Sequence, residues 1–195
     1  MYKNLLITLF FICLFLPIGY SAYYPNRKIL LPDNVFEIDY SPQQVYMGAA
    51  TRSLFVLYSG HTGKELQNFT IETNISFTSF GFSRDNSWLA LGHNDGTVTM
   101  YEYDSETRSF KSQQEYKGDI QSDVTGVCFS PDNKFVVIGL RQDRIAVREL
   151  KTKITVEKNF YNEFVFTVSC SPSENTFVVG GGQSTLAQLA LFEID

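Results

Sequence analysis

"FSPDNKFVVIGLRQDRIAVREL", residues 129–150, carries much of the fold information in this chain of 195 residues. Phe129 closes one apolar segment, and Ser130-Pro131-Asp132-Asn133 has the composition of a turn. "FVVIGL" (135–140) is an apolar run of strand length, and "RQDR" (141–144) is a second polar turn. "IAVREL" (145–150) then returns to apolar residues at alternate places. Short apolar runs separated by turn residues are the mark of antiparallel strands. One such pair has little core of its own, so the fold depends on whether the stretch is repeated.

It is repeated. An apolar residue followed by Ser, and often by Pro, recurs at Tyr40-Ser41-Pro42, Phe82-Ser83, Phe129-Ser130-Pro131 and Cys170-Ser171-Pro172. The serines lie 42, 47 and 41 residues apart, which is the period of a four-stranded propeller blade. Before each Ser stands a short strand: "VFEIDY", "FTSFGF", "VTGVCF", "VFTVSC". Large apolar residues hold its first, fourth and sixth places, and its fifth is mostly small (Asp39, Gly81, Cys128, Ser169). Innermost strands that converge on a common axis demand this. A second apolar strand ends at Gly48, Gly92, Gly139 or Gly180, and a third starts six residues on. The fourth strands, "GKELQNFT", "RSFKSQQEY" and "TKITVEKNF", are polar and alternating, as outer edges are. The fold expected is therefore all-β, a β-propeller of four-stranded antiparallel blades in about four repeats. The blades fall at about 35–73, 74–119, 120–161 and 162–195.

At these residues the chain resembles the WD-repeat family. "VTGVCFSPDNKFVVIGL" is similar to the family's first and second strands, "ALGHNDGTVTMYEYDSET" to its second and third, and "HTGKEL" to its turn into the fourth. The resemblance covers roughly residues 34–195 and implies a non-enzymatic scaffold that binds another protein. The chain also departs from the pattern. The Trp-Asp pair is replaced by Leu57-Tyr58, Tyr101-Glu102 and Arg148-Glu149, and the Gly-His by Gly118-Asp119. Only Asp95 matches the family's turn Asp, so the blades are expected to lean on apolar packing. The family commonly closes with seven blades, and the 174 residues left after a 21-residue leader (195 − 21) cannot hold seven. Three arrangements follow: a small closed ring, a partial propeller completed by another chain (a second copy included), or a truncated product. Residues 22–34 precede the first blade. Within them "NRKILLP" has strand character, and Arg27–Leu31 is expected to latch onto the third strand of the fourth blade, near Leu189–Ile194.

The first 21 residues read as a signal peptide: one cation, Lys3, an apolar run from Leu5 to Leu16, then small residues at Gly19 and Ser21. Cleavage after Ser21 fits better than after Ala22, which would put Tyr20 where a small residue belongs. The chain is therefore expected to be secreted or lumenal. The alternative is an uncleaved membrane anchor, with Arg27 and Lys28 holding the following domain in the cytosol. Asn68-Phe-Thr and Asn74-Ile-Ser are candidate glycosylation sites, although chance alone supplies about two such triplets at this composition.

Chemistry is sparse. The net charge is -5 and the cations are scattered, which excludes a phosphate-tracking nucleic-acid surface. His61 and His93 lie in turns of different repeats, so no metal or cofactor site is expected. Glu37 and Asp39 alternate along an innermost strand and could line a channel mouth, where they either meet water or hold a cation such as calcium. They are also the only pair a propeller hydrolase could use. Gly180-Gly181-Gly182 reads as a widened turn, and Trp88 as a core aromatic. Cys128 and Cys170 occupy adjacent places in equivalent strands. Adjacent places face opposite sides, so both thiols are expected to be free.

Overall fold

A computed structural model describes residues 28–71, 74–118, 121–161, 163–183 and 186–194. The signal peptide, Arg27 and Asp119 lie outside the described residues. Lys28–Leu30 is the described part of a first unit, Met1–Leu30, and carries no strand. The second unit, Leu31–Asp195, holds the described sheets.

Among the described residues fifteen strands follow in chain order. The first blade comprises β1 (Glu37–Tyr40), β2 (Tyr46–Ala50), β3 (Leu54–Ser59) and β4 (Glu65–Thr70). The second comprises β5 (Phe77–Phe82), β6 (Trp88–His93), β7 (Thr97–Asp104) and β8 (Ser109–Lys117). The third comprises β9 (Val124–Phe129), β10 (Phe135–Leu140), β11 (Arg144–Glu149) and β12 (Thr155–Asn159). The fourth has β13 (Phe164–Cys170), β14 (Thr176–Gln183) and β15 (Leu186–Glu193). Each sheet is a meander of sequential antiparallel neighbours, four-stranded in the first three blades and three-stranded in the last.

The repeated Ser is a turn clamp. Ser41, Ser83 and Ser130 are buried, and each hydroxyl accepts the backbone N–H five residues on: Tyr46 at 3.1 Å, Trp88 at 2.8 Å, Phe135 at 3.0 Å. The turn then needs a positive φ three residues after the Ser, and Gln44, Asn86 and Asn133 supply it (φ 57, 61 and 57). An amide side chain tolerates that conformation better than a branched one.

The repeated Gly is a seat for the next blade. A Cβ on Gly48 would lie 2.7 Å from the Phe80 ring, on Gly92 2.5 Å from Val124, and on Gly139 2.8 Å from Val168. The small fifth place answers the same crowding, since a Cβ on Gly81 would lie 2.6 Å from the Val127 carbonyl oxygen.

The core is a set of inter-blade layers rather than one interior. Ala50, Phe55 and Leu57 of the first blade pack on Phe77, Phe80 and Phe82 of the second. Ala90, Val98 and Met100 pack on Val124, Val127 and Phe129 of the third. Val137 and Ile145 pack on Val165 and Val168 of the fourth. First, fourth and sixth places of a first strand thus face the preceding blade. Trp88 is half-buried against the middle layer.

Three expectations are corrected. Cys128 and Cys170 form a disulfide, with Cα atoms 5.6 Å apart. They do occupy adjacent places, fifth and sixth, and adjacent places do face opposite sides. Consecutive blades, however, meet face to opposite face. A fifth place looking forward therefore meets a sixth place looking back, so opposite parity brings the thiols together. Gly180–Gly182 is not a turn; it lies within β14, paired with Leu189, Gln188 and Ala187. The absent side chains admit close neighbours, since a Cβ on Gly181 would lie 2.2 Å from the Phe164 carbonyl oxygen. Finally, the described residues 28–31 make no latch strand, and among the described residues β15 pairs with β14 alone. Leu31 packs instead against Ala49, Val56 and Tyr58 of the first blade. That apolar seat buries the side chain directly, without strand pairing.

Candidate functional site

The first strands of all four blades converge on an axial recess of about 540 Å3. Its wall includes Glu37, Asp39 and Tyr40 from β1, Arg84 after β5, Pro131 after β9, and Pro172 after β13. Sequence brings these together because the residues just after each first strand emerge at one mouth of the arc. Carboxylates, a guanidinium, a phenol and proline rings share one concave surface there.

Glu37 is half-buried, and its Oε2 accepts the Phe80 N–H at 3.0 Å, tying the first blade to the second. Burial pushes its carboxyl up to about 7; the Phe80 N–H opposes this, and the neighbouring Asp39 charge adds to it. Asp39 is exposed, and its Oδ1 accepts the Tyr40 N–H at 2.7 Å. The two carboxyls therefore do different things: Glu37 braces a seam, and Asp39 faces the recess. Arg84 reaches across the recess, where a guanidinium N–H donates to the Pro172 carbonyl. Its backbone N–H donates to the Asn133 side chain at 3.0 Å.

The histidines are not brought together. His61 is exposed in the turn between β3 and β4, and His93 is buried at the end of β6, its Nε2 3.1 Å from the Thr99 hydroxyl. Burial lowers the His93 pKa, against an opposing pull from Asp95. Asp95 accepts the Thr97 N–H at 3.0 Å and its hydroxyl at 2.7 Å, so the one matching turn Asp clamps its own turn. Among the described residues no group of three His, Cys, Asp or Glu side chains is placed to hold a metal. Asn68 and Asn74 are both exposed, the first on β4 and the second just beyond it.

Polar braces between blades are what sequence reasoning missed. The Gln67 amide donates to the Phe110 carbonyl and accepts the Phe110 N–H, both at 2.9 Å. Gln114 donates to the Leu150 carbonyl at 2.7 Å, and the Tyr116 hydroxyl donates to Glu157 at 2.7 Å. These residues look like ordinary solvated positions of an outer strand. Their partners sit 36 to 43 residues away, about one blade on.

The family described as "WD domain, G-beta repeat" matches residues 110–146, which run from β8 of the second blade into β11 of the third. Among solved structures, the chain is similar to the RRP9 WD40 repeats at 13% identity and a TM-score of 0.70. That likeness covers 85% of this chain and 52% of the other. The structure of U3-55K gives 13% identity and 0.70, covering 85% and 53%. Kuenenia stuttgartiensis hydrazine synthase gives 14% identity and 0.69, covering 88% and 49%. The chain thus spans about half the length of the solved structures it matches. The matched repeat and the fold are those of a WD-repeat β-propeller, and the four sheets form an open arc of it.

Proposed function

We propose that this WD-repeat β-propeller chain is a non-enzymatic scaffold that binds another protein, and that it works outside the cell or in the lumen of the secretory pathway. The observation that carries the binding role is the axial recess. Its rim mixes Tyr40, Arg84, Asp39 and three prolines on a framework held by buried seams. Broad concave surfaces of this composition suit a protein loop or strand better than a compact small molecule. The Cys128–Cys170 link supports the compartment, because structural disulfides persist where the surroundings are oxidising. The apolar leader and the exposed Asn68 and Asn74 are in keeping with it.

Expression with its own leader in a eukaryotic secretory host tests both parts. The medium should contain a chain beginning at Ala22, with glycan on Asn68 or Asn74 and no free thiol before reduction. Native fractionation should recover it with a protein partner that Asp39→Arg releases while the fold is kept. A membrane-bound, unglycosylated product retaining Met1 would refute the compartment. Turnover of a glycoside that Glu37→Ala with Asp39→Ala abolishes would replace the scaffold with a hydrolase.

A further inference from the structure

The two mouths of the arc carry opposite polarity. Residues just after the first strands rim the axial recess, where Asp39, Glu37 and the Pro172 carbonyl are hydrogen-bond acceptors. Residues at the start of the same strands, together with the turns between second and third strands, line a separate recess of about 530 Å3. β-Bulges shape this second mouth. In β5, β9 and β13 the pairing slips by one residue near the start, leaving Thr78, Thr125 and Phe166 as the extra residues. A bulge re-aims its extra side chain, and these three all line the one recess.

The lining is rich in donors. Thr78 and Thr125 are half-buried, and among the described residues their buried hydroxyl oxygens have no hydrogen-bond partner. The Thr125 oxygen lies toward Gly139, 3.2 Å from where a Cβ would stand, and a turn about χ1 brings it round to the mouth. Buried hydroxyls rarely lack a partner, and two at the same place in consecutive blades call for an acceptor. Asn94, between β6 and β7, uses its Oδ1 to accept the Ser76 N–H at 2.8 Å, which leaves its amide N–H groups without an acceptor among the described residues. Arg52, between β2 and β3, is exposed and makes no ion pair among the described residues. The one carboxylate on the lining, Asp123, lies 3.4 Å from Arg141 Nε in an exposed pair. Two arginines thus face one aspartate.

We propose that this second mouth binds an acidic segment of a protein partner, whose carboxylates take up the donors of Arg52, Arg141 and Asn94. Guanidinium and amide groups meeting a carboxylate form charge-assisted hydrogen bonds, the stronger kind. Two features favour a peptide over a free anion. The recess is many times the size of a carboxylate, and Phe36 and Phe166 give it an apolar wall that a bare anion cannot use. The net charge of the chain is -5, so the attraction is local to this mouth and acts at short range. The proposal rests on the reading of the chain as a protein-binding scaffold and adds a surface distinct from the axial recess.

Fluorescence anisotropy of the purified chain tests this with two labelled decapeptides, one alternating Glu and Phe, the other alternating Gln and Phe. The Glu peptide should bind about tenfold more tightly, and added sodium chloride should shrink the difference. Arg52→Gln and Arg141→Gln should each weaken its binding about tenfold. Both side chains are exposed, so the β-sheet circular dichroism should stay unchanged. Asp39→Asn at the other mouth should leave the affinity as it is, which separates this site from the axial recess. Equal affinity for the two peptides, or arginine variants that bind as the unaltered chain does, overturns the proposal. Inorganic phosphate that displaces the Glu peptide mole for mole overturns it in favour of a free-anion site. A single-stranded oligonucleotide that binds more tightly than the Glu peptide overturns it in favour of nucleic acid.

Discussion

The seam between the first and second blades and the seam between the third and fourth share one backbone plan but are held by different chemistry. The first is aromatic. The Phe55 ring lies 4.9 Å from Phe80 edge-on, 5.8 Å from Phe69 and 6.5 Å from Phe77, and Tyr46 lies 5.4 Å from Phe110. Its outer rim is braced by the two Gln67–Phe110 hydrogen bonds. The other seam is largely aliphatic, built on Val137, Ile145, Val165, Val168 and Val179. Among the described residues the last blade has three strands, and a recess of about 270 Å3 at the outer rim is lined by Ile154, Val156, Phe177 and Phe192. A covalent link, Cys128–Cys170, joins the two blades at the inner end of this seam. The two seams share a full apolar layer and differ in the bonds that cross it, an outer pair of hydrogen bonds in one and a disulfide in the other.

The largest effect should come from the aromatic seam. Phe55 is completely buried between two blades, so Phe55→Ala removes contacts on both sides and leaves a cavity. It should destabilise by about 3–5 kcal/mol in a urea melt. A loss below about 1 kcal/mol would mean that the seam repacks and that its aromatic character is incidental.

Breaking the disulfide attacks the other seam. Cys128→Ser with Cys170→Ser frees a loop whose ends are 42 residues apart and should cost about 2–4 kcal/mol. Amide exchange should speed up in β13–β15 and change little in β1–β8. Uniform acceleration would show that the two seams are not independent.

The smallest effect concerns the polar tie in the first seam. The Glu37 carboxyl is raised from 4.5 to about 7, so the folded state holds a proton that the unfolded chain has released. Its contribution is complete below about pH 4.5 and is lost as pH rises through about 7. Melting temperature should fall between about pH 5 and 8, and Glu37→Gln should flatten that slope. A slope that is the same in the variant would move the proton to another group.

Much of the fold was legible in residues 35–194 because propeller blades are built from local meanders. The Ser clamps, the seat glycines and the polar outer strands each answer a constraint within one blade or its immediate neighbour. The site was less legible. Glu37 and Asp39 could be placed at a channel mouth by alternation, but the Phe80 N–H that separates their roles lies one blade away. Arg84 carried no signal, since its partner, the Pro172 carbonyl, is 88 residues distant. The glycine run was misread because Gly serves both turns and close packing, and only the approach of Phe164 and Phe160 tells which.

By itself, the sequence determined the strand order, the blade period and which side chains in each strand are apolar, because turn chemistry and alternation act over a few residues. Tertiary structure alone decided what meets across the seams. Parity along a strand says which way a side chain points, and only the face-to-opposite-face stacking of consecutive blades says what stands there. That stacking joins Cys128 to Cys170 and seats Val168 on Gly139, whereas Ile38 and Leu189 stay exposed.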